Sequence, residues 1–250
     1  MEEKLGKKLE SFKLRPRGHG EHLGVNRQKQ EGKSYVTVPI LGGILSNASM
    51  LRLAELAERY GRPEVRFTCF QNLILLDIED RELSQLKKEL RSLGFDVEGY
   101  PHSWTTIACA ANFCPKGLEN TKKRTLEIIK QLESRFGERL RSIDLSIATS
   151  GCVSGCARHV LAGIGLQGVA AAKGGRFTPG YNLYLGGGLA YTPSFGRAVA
   201  VAIHADQAKE CVENILSAYF EHRNEGESLR DFCGRHSVDQ LSSMALGKFG

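Results

Sequence analysis

The stretch EVRFTCFQNLILLDI, residues 64–78, holds two consecutive strand signals. In its first half Val65, Phe67 and Cys69 alternate with Arg66 and Thr68, the period of a half-buried strand. Its second half, NLILLDI (72–78), is a continuous apolar run and reads as a strand buried on both faces. Upstream, YVTVPI (35–40) is β-branched and alternating, which predicts another strand. Between them Ser46 is placed to cap a helix through NASMLRLAELAERY, with Leu53, Ala54, Ala57 and Tyr60 on one face and Gly61 to stop it. Downstream, Asp80 reads as the cap of a second helix, with Leu83, Leu86, Leu90 and Leu93 on one side and Gly94 at its end. FDVEGY (95–100) reads as the last strand. The order β-α-β-β-α-β across residues 35–98 is the ferredoxin-like split motif, and it makes the fold class α+β. Fold alone does not give function, so the chemistry must come from a site.

Composition narrows the classes. The 250 residues are 41% hydrophobic and 25% charged, an ordinary soluble balance. No apolar run is long enough for a membrane span, and MEEKLGKKLE lacks the apolar centre of a signal peptide. A cytoplasmic location is therefore expected, where thiols stay reduced and close cysteine pairs bind metals more often than they form disulfides. The seven cysteines are an odd number, which also argues against a fully paired framework. The net charge is +6, and residues 1–33 hold nine Lys/Arg against five Asp/Glu. Residues 1–34 thus read as a basic, solvated arm. No aromatic residues interleave with these charges, so nucleic acid is not the expected partner.

The chemistry lies further along. IACAANFCPKG carries Cys109 and Cys114, and TSGCVSGCARH carries Cys152 and Cys156. The first pair precedes a helical pattern, LENTKKRTLEIIKQLESRFG, and the second follows a strand signal, IDLSIAT. Four thiolates in two pairs can hold a [4Fe–4S] cluster or a structural zinc, and free cysteines also serve as small core residues. Spacing by itself leaves all three open. Cys69, Cys211 and Cys233 read as structural, and Gly186 to Gly188 as a turn rather than a phosphate cradle.

Taken together, these stretches resemble the cluster-bearing, C-terminal half of the siroheme-dependent nitrite and sulfite reductases. VRFTCFQNLIL (65–75) is similar to the family's R-x-T-x-x-Q-N segment, which lies against the siroheme. ACAANFC with PKGLENTKKR resembles the first cysteine pair and its helix, and SGCVSGCARHVLAGIGLQG the second pair. YNLYLGGGLA and the tail YFEHRNEGESLRDFCGRHSVDQL continue the likeness. The resemblance implies a [4Fe–4S] cluster on Cys109, Cys114, Cys152 and Cys156, with Cys156 also the axial ligand of the siroheme iron and hence the catalytic thiolate. It implies that Arg66, Gln71, Asn72 and Thr68 meet the siroheme carboxylates.

The implied organisation is a half-domain at 35–98, an α/β siroheme and cluster domain at 99–205, and closing helices at 206–250. The implied reaction is six-electron reduction of a small oxyanion, sulfite to sulfide or nitrite to ammonia. Electrons would come singly from a ferredoxin or flavoprotein, since no nicotinamide or flavin motif is visible. A tetrapyrrole-modifying monooxygenase of the cobalamin pathway and a non-catalytic electron-transfer or tetrapyrrole-binding subunit are the alternatives. Three features depart from the family. The first pair is C-x4-C where the family has C-x5-C, Phe70 stands where the family has a polar or basic residue, and no lysine lies near the second pair. Read as one half of a two-half enzyme, the chain would meet its oxyanion with Arg158 and His159, or through a second copy or homologous subunit. Arg15, Arg17, Arg27 and Lys29 of the arm would then reach across to the partner.

Overall fold

The computed structural model describes Gly6 and residues 22–99, 105–189 and 193–248. Two sheets organise it. The first has four antiparallel strands, β1 (Gly24–Arg27), β2 (Lys33–Val38), β3 (Val65–Phe67) and β4 (Leu73–Glu79), in the order β1-β2-β4-β3. Helices α1 (Asn47–Tyr60) and α2 (Leu83–Ser92) pack on it. Val36, Val38, Leu73, Leu75 and Ile78 from the strands meet Leu53, Leu56, Leu86 and Leu90 from the helices in one buried cluster. This is the α+β, ferredoxin-like half-domain.

The local signals explain most of these elements. Ser46 caps α1 by accepting from the Ser49 backbone N–H at 3.0 Å, and Gly61 ends the helix by donating to the Ala57 carbonyl. Gly94, at φ +86°, closes α2 in a conformation that favours glycine.

Four local readings need correction. FDVEGY forms no strand over its described residues 95–99, although Val97 is buried in the core. The fourth strand is instead β1, from the stretch read as arm, because Val25 and its neighbours pair with β2. Asp80 caps nothing; its carboxylate accepts from the Ser34 hydroxyl at 2.7 Å, and a short 3₁₀ turn precedes α2. β4 is buried on one face, where the helices cover Leu73 and Leu75, and only half-buried on the other, which carries Ile74 and Leu76. Cys69 is exposed, because β3 ends at Phe67, which is itself 67% exposed on the edge of the sheet. Arg15 and Arg17 lie outside the described residues, while Arg27 and Lys29 are exposed.

The second sheet has the order β5 (Thr105–Ala108), β6 (Ser146–Ser150), β7 (Ile164–Lys173), β8 (Arg176–Leu185), β9 (Arg197–His204). β5, β6 and β7 run parallel, and β8 and β9 return antiparallel. Helix α3 (Thr121–Phe136) and the short α4 (Glu138–Arg141) cross from β5 to β6; α5 (Ala208–His222), α6 (Leu229–Arg235) and α7 (Val238–Ala245) close the chain. One sheet face, with Ile147, Leu166, Tyr181, Leu183 and Leu185, packs on the helices through Ile128, Leu132, Ile215, Tyr219 and Phe232. Side chains alternate across a strand, so Asn182 and Tyr184 of β8 belong to the opposite face. Among the described residues, that face carries no helix of the main core. It holds instead a small cluster of Ile107, Ala148, Ala157 and Ala162, with Phe70 and Cys109 against it.

Candidate functional site

Cys109 follows β5 directly, and Cys152 comes two residues after the end of β6. Ala108 pairs with Thr149 in parallel register, so both cysteine loops leave the same end of neighbouring strands. The carboxyl ends of parallel strands are where such sheets collect binding groups. Here the loops are also sewn together. The Gly151 N–H donates to Cys109 Sγ at 3.1 Å, and the Leu118 N–H donates to the Gly151 carbonyl at 3.1 Å.

Two glycines make this approach possible. A Cβ on Gly168 would stand 2.3 Å from the Gly151 carbonyl oxygen and 3.0 Å from the Cys152 nitrogen. A Cβ on Gly151 would stand 2.4 Å from that of Ala111. Both positions therefore require glycine for close backbone approach rather than for an unusual dihedral angle.

The first loop turns through a 3₁₀ segment, Ala111–Phe113, and the Thr121 hydroxyl holds its start by donating to the Cys109 carbonyl at 2.5 Å. The shortened C-x4-C spacing is thus accommodated in one tight turn that leaves Cys114 exposed. In the second loop the Ser150 hydroxyl accepts from the Ala157 N–H at 3.2 Å and bonds His159 Nδ1 at 3.1 Å, cinching the span between Cys152 and Cys156. The Ser154 hydroxyl, then its backbone N–H and the charge of Lys116, hold the Cys152 thiol below its ordinary pKa. Burial instead pushes Cys211 up to about 11 and Cys233 up to about 12. Those two stay protonated and inert in the core, as read; the thiolate-prone cysteine is at the loops.

The half-domain reaches the same place through residues 68–72. Thr68 Oγ1 accepts from the Phe70 and Asn72 N–H groups, and Asn72 Oδ1 accepts from the Ile40 N–H at 2.9 Å. Gln71, at φ +66°, clips its carboxamide onto the edge of β5, donating to the Ala108 carbonyl at 2.9 Å and accepting from the Ala108 N–H at 3.0 Å. It acts there as a substitute strand. The Arg158 guanidinium donates to the Cys69 carbonyl at 2.7 Å and lies 5.0 Å from the Phe70 ring centroid, so it ties the second cysteine loop to the half-domain. Arg66 projects from edge strand β3 into solvent, paired with Glu64 at 2.9 Å.

The two cysteine loops therefore leave one end of the second sheet, where Gln71 and Arg158 tie the 68–72 loop to it, while Arg66 stands on the exposed edge of the first. Ser150, Gly151, Ser154, Thr121, Lys116 and Gly168 were not singled out in the sequence. Four of them flank a cysteine closely, and that adjacency was the available signal.

His159 is 3% exposed, its ring 5.0 Å from that of Tyr184, and its Nε2 has no hydrogen-bond partner. Burial lowers its pKa. A histidine depressed in the fold takes up its proton more readily when unfolded, so its contribution is complete above about pH 6.5 and shrinks as pH falls through that value. Denaturant unfolding from pH 7.5 to 5 should show stability falling on acidification, and His159→Gln should flatten that fall. Parallel curves for the two proteins would contradict a neutral buried His159.

Residues 102–247 match the family described as the nitrite and sulphite reductase 4Fe-4S domain, and residues 26–93 match the nitrite/sulfite reductase ferredoxin-like half domain. The chain belongs to the nitrite and sulfite reductase family. It is 32% identical over 228 residues to a protein named sulfite reductase (ferredoxin) 2 from Mycolicibacterium paratuberculosis, covering 88% of this chain and 40% of that protein. It is 30% identical over 226 residues to an assimilatory ferredoxin-dependent nitrite reductase from Haloferax mediterranei, covering 90% of the chain and 38% of the relative. The solved structure of the Mycobacterium tuberculosis NirA protein superimposes with a TM-score of 0.81 at 28% identity, over 96% of this chain and 45% of that one. Dissimilatory sulfite reductase I shares the fold at 12% identity and a TM-score of 0.68, over 85% of this chain and 69% of that one. This family member thus spans less than half the length of the curated relatives it matches.

The donor set suits the cluster that gives the family domain its description. Among the described residues no three His, Cys, Asp or Glu side chains gather closely enough to grip a single ion. Four thiolates on two adjacent loops can supply one ligand to each iron of a [4Fe–4S] cluster. Among the same residues no helix is long and apolar enough to cross a membrane.

Proposed function

We propose that this chain is the siroheme- and cluster-bearing half of an enzyme that reduces sulfite to sulfide or nitrite to ammonia, fed by a one-electron donor of the ferredoxin or flavoprotein kind. The observation that carries the reading is the pair of cysteine loops at the shared end of β5 and β6, stitched through the Gly151–Cys109 hydrogen bond. Cys109, Cys114, Cys152 and Cys156 would hold the [4Fe–4S] cluster, with Cys156 shared with the siroheme iron. When bound, these groups supply electron storage and a metal centre for the oxyanion.

The chain's own residues do the rest. The Gly151 N–H, which already points at Cys109 Sγ, stabilises negative charge on that sulfur, and Ser154 does the same for Cys152. Gln71 and Arg158 hold the half-domain loop against the cysteine loops, so the macrocycle face is built from both domains. Arg66 would meet a siroheme carboxylate by exchanging its exposed pairing with Glu64, which at a surface is worth at most about 1 kcal/mol. Thr68 and Asn72 shape the loop beneath it.

Arg158 is committed to Cys69 and Phe70, and His159 is buried, so neither presents a free cation to an oxyanion. That favours a reading in which a second copy or a homologous half supplies the positive charge. It equally favours this chain serving as the electron-carrying subunit of such an assembly. The domain limits then follow the two sheets, with the half-domain beginning at β1. Leu23 is buried in the second sheet's core, so a deletion meant to remove only the basic arm must end before it.

The test is elemental. Protein purified without oxygen should contain about four irons and four acid-labile sulfides per chain, with one further iron where siroheme is bound. One zinc and no sulfide would overturn the proposal.

A further inference from the structure

The His159 ring backs the second cysteine loop and is fixed at both ends of it. Nδ1 bonds the Ser150 hydroxyl at 3.1 Å, just ahead of Cys152. Cε1 lies against Gly155, the residue before Cys156: a Cβ on that glycine would stand 3.4 Å from Cε1 and 3.7 Å from Nδ1. From β8 the Tyr184 ring packs on the imidazole, which is buried.

The hydrogen bonds assign the tautomer. The Ser150 hydroxyl accepts from the Ala157 N–H at 3.2 Å, and Nδ1 is the acceptor within reach of its own proton. If Ser150 donates to Nδ1, one buried polar group is left unsatisfied. If it accepts from Nδ1 instead, two are, the hydroxyl proton and the Nε2 lone pair. The first arrangement costs less, because every buried donor or acceptor without a partner bears its own desolvation penalty. Burial favours the neutral ring, whose single proton is then on Nε2. Nε2 is therefore a buried N–H donor, and it has no partner among the described residues. Orphaned buried donors are rare in native folds and call for a specific cause, a redox role among them.

The chemistry carried by the loop that the ring supports is sulfur. Donors already serve two of the four paired cysteines, the Gly151 N–H at Cys109 and Ser154 at Cys152. Cys156 comes three residues before His159, and its thiol is exposed and free. Thiolate and sulfide sulfurs accept hydrogen bonds, and such bonds help to set the reduction potential of a cluster.

We infer that the His159 Nε2–H is the hydrogen-bond donor for a sulfur at the Cys156 end of the second loop, a pairing made when an iron–sulfur cluster is held there. The inference rests on the proposed function, since it needs that cluster. A donor of this kind stabilises negative charge on sulfur, and a cluster gains one negative charge when it takes up an electron. His159 thus favours the reduced state, with Ser150 keeping the proton on the nitrogen that uses it.

The experiment uses the loaded chain, purified without oxygen and carrying isotopically labelled histidine nitrogen. In the reduced protein, electron spin-echo envelope modulation should show a histidine nitrogen coupled to the cluster spin, and His159→Phe should abolish that coupling. Redox titration followed by electron paramagnetic resonance should find the His159→Phe cluster harder to reduce by about tenfold in the equilibrium, which is about 59 mV for a one-electron couple. His159→Gln, which keeps an amide donor, should recover part of that shift. Should His159→Phe fail to load, the nitrogen coupling of the unaltered chain decides. Absence of that coupling, or a His159→Phe potential equal to that of the unaltered protein, would overturn the inference and leave the proposed function standing. A chain that takes up no iron and sulfide would sink the proposed function, and this inference with it.

Discussion

Chains carrying Cys109→Ser should be purified with most of their iron and acid-labile sulfide missing, although they fold. A hard hydroxyl oxygen is a poor ligand for iron in a sulfur-bridged cluster, and even outer hydrogen-bond partners change metal affinity by about 10- to 100-fold. Serine also forfeits the sulfur that accepts from the Gly151 N–H, so the stitch between the two loops loosens at the same time. Cys156→Ser should behave differently. It should remove the link to the siroheme iron first, so magnetic coupling between the two centres disappears in any fraction that retains both. Iron and sulfide analysis reads the first variant and electron paramagnetic resonance the second. Full cluster content in Cys109→Ser would remove that residue from the ligand set.

Gly168→Ala should be among the most damaging single methyl groups at the site. Its Cβ would meet backbone on β6 side, the Gly151 carbonyl at 2.3 Å, and backbone cannot swing aside as a side chain can. Overpacking of this kind costs about 3 kcal/mol at the upper end of its usual range. For a chain of this size each kcal/mol lowers the melting temperature by roughly 2–4 °C, so a drop of about 6–12 °C is expected. Gly174→Ala, with nothing within 4 Å of its Cβ, is the control for space, although its φ of +56° carries its own strain. Equal melting temperatures for Gly168→Ala and the unaltered chain would mean that β6 and β7 are not packed this closely. Loss of cluster at unchanged stability would place the damage in the loop alone.

Much of the candidate site was legible before any coordinates. Cysteines at close spacing beside a strand end are a local pattern, and local patterns survive in one dimension. The cap of α1 was equally readable, because Ser46 accepts a hydrogen bond from the residue three positions away. Elements failed where a distant competitor took the place of a local signal. FDVEGY had the composition of an edge strand, yet β1 occupies the free side of β2, and the pairing partner of a strand is chosen by the whole sheet.

The α+β class, the two pairs of thiols and the family likeness each depend on residue type at short spacing and can be read along the chain. What the polar residues near them do depends on how the two sheets pack. Gln71 reads as a cofactor contact from the sequence, and the fold has its carboxamide complete the edge of β5, 37 positions along the chain. Arg158 read as an anion contact, and it bonds the Cys69 carbonyl from 89 positions away. A polar side chain goes to whichever unpaired backbone group the fold leaves within reach, because a buried donor or acceptor without a partner costs about 1–3 kcal/mol. Which groups are left unpaired is known only once the two sheets have met.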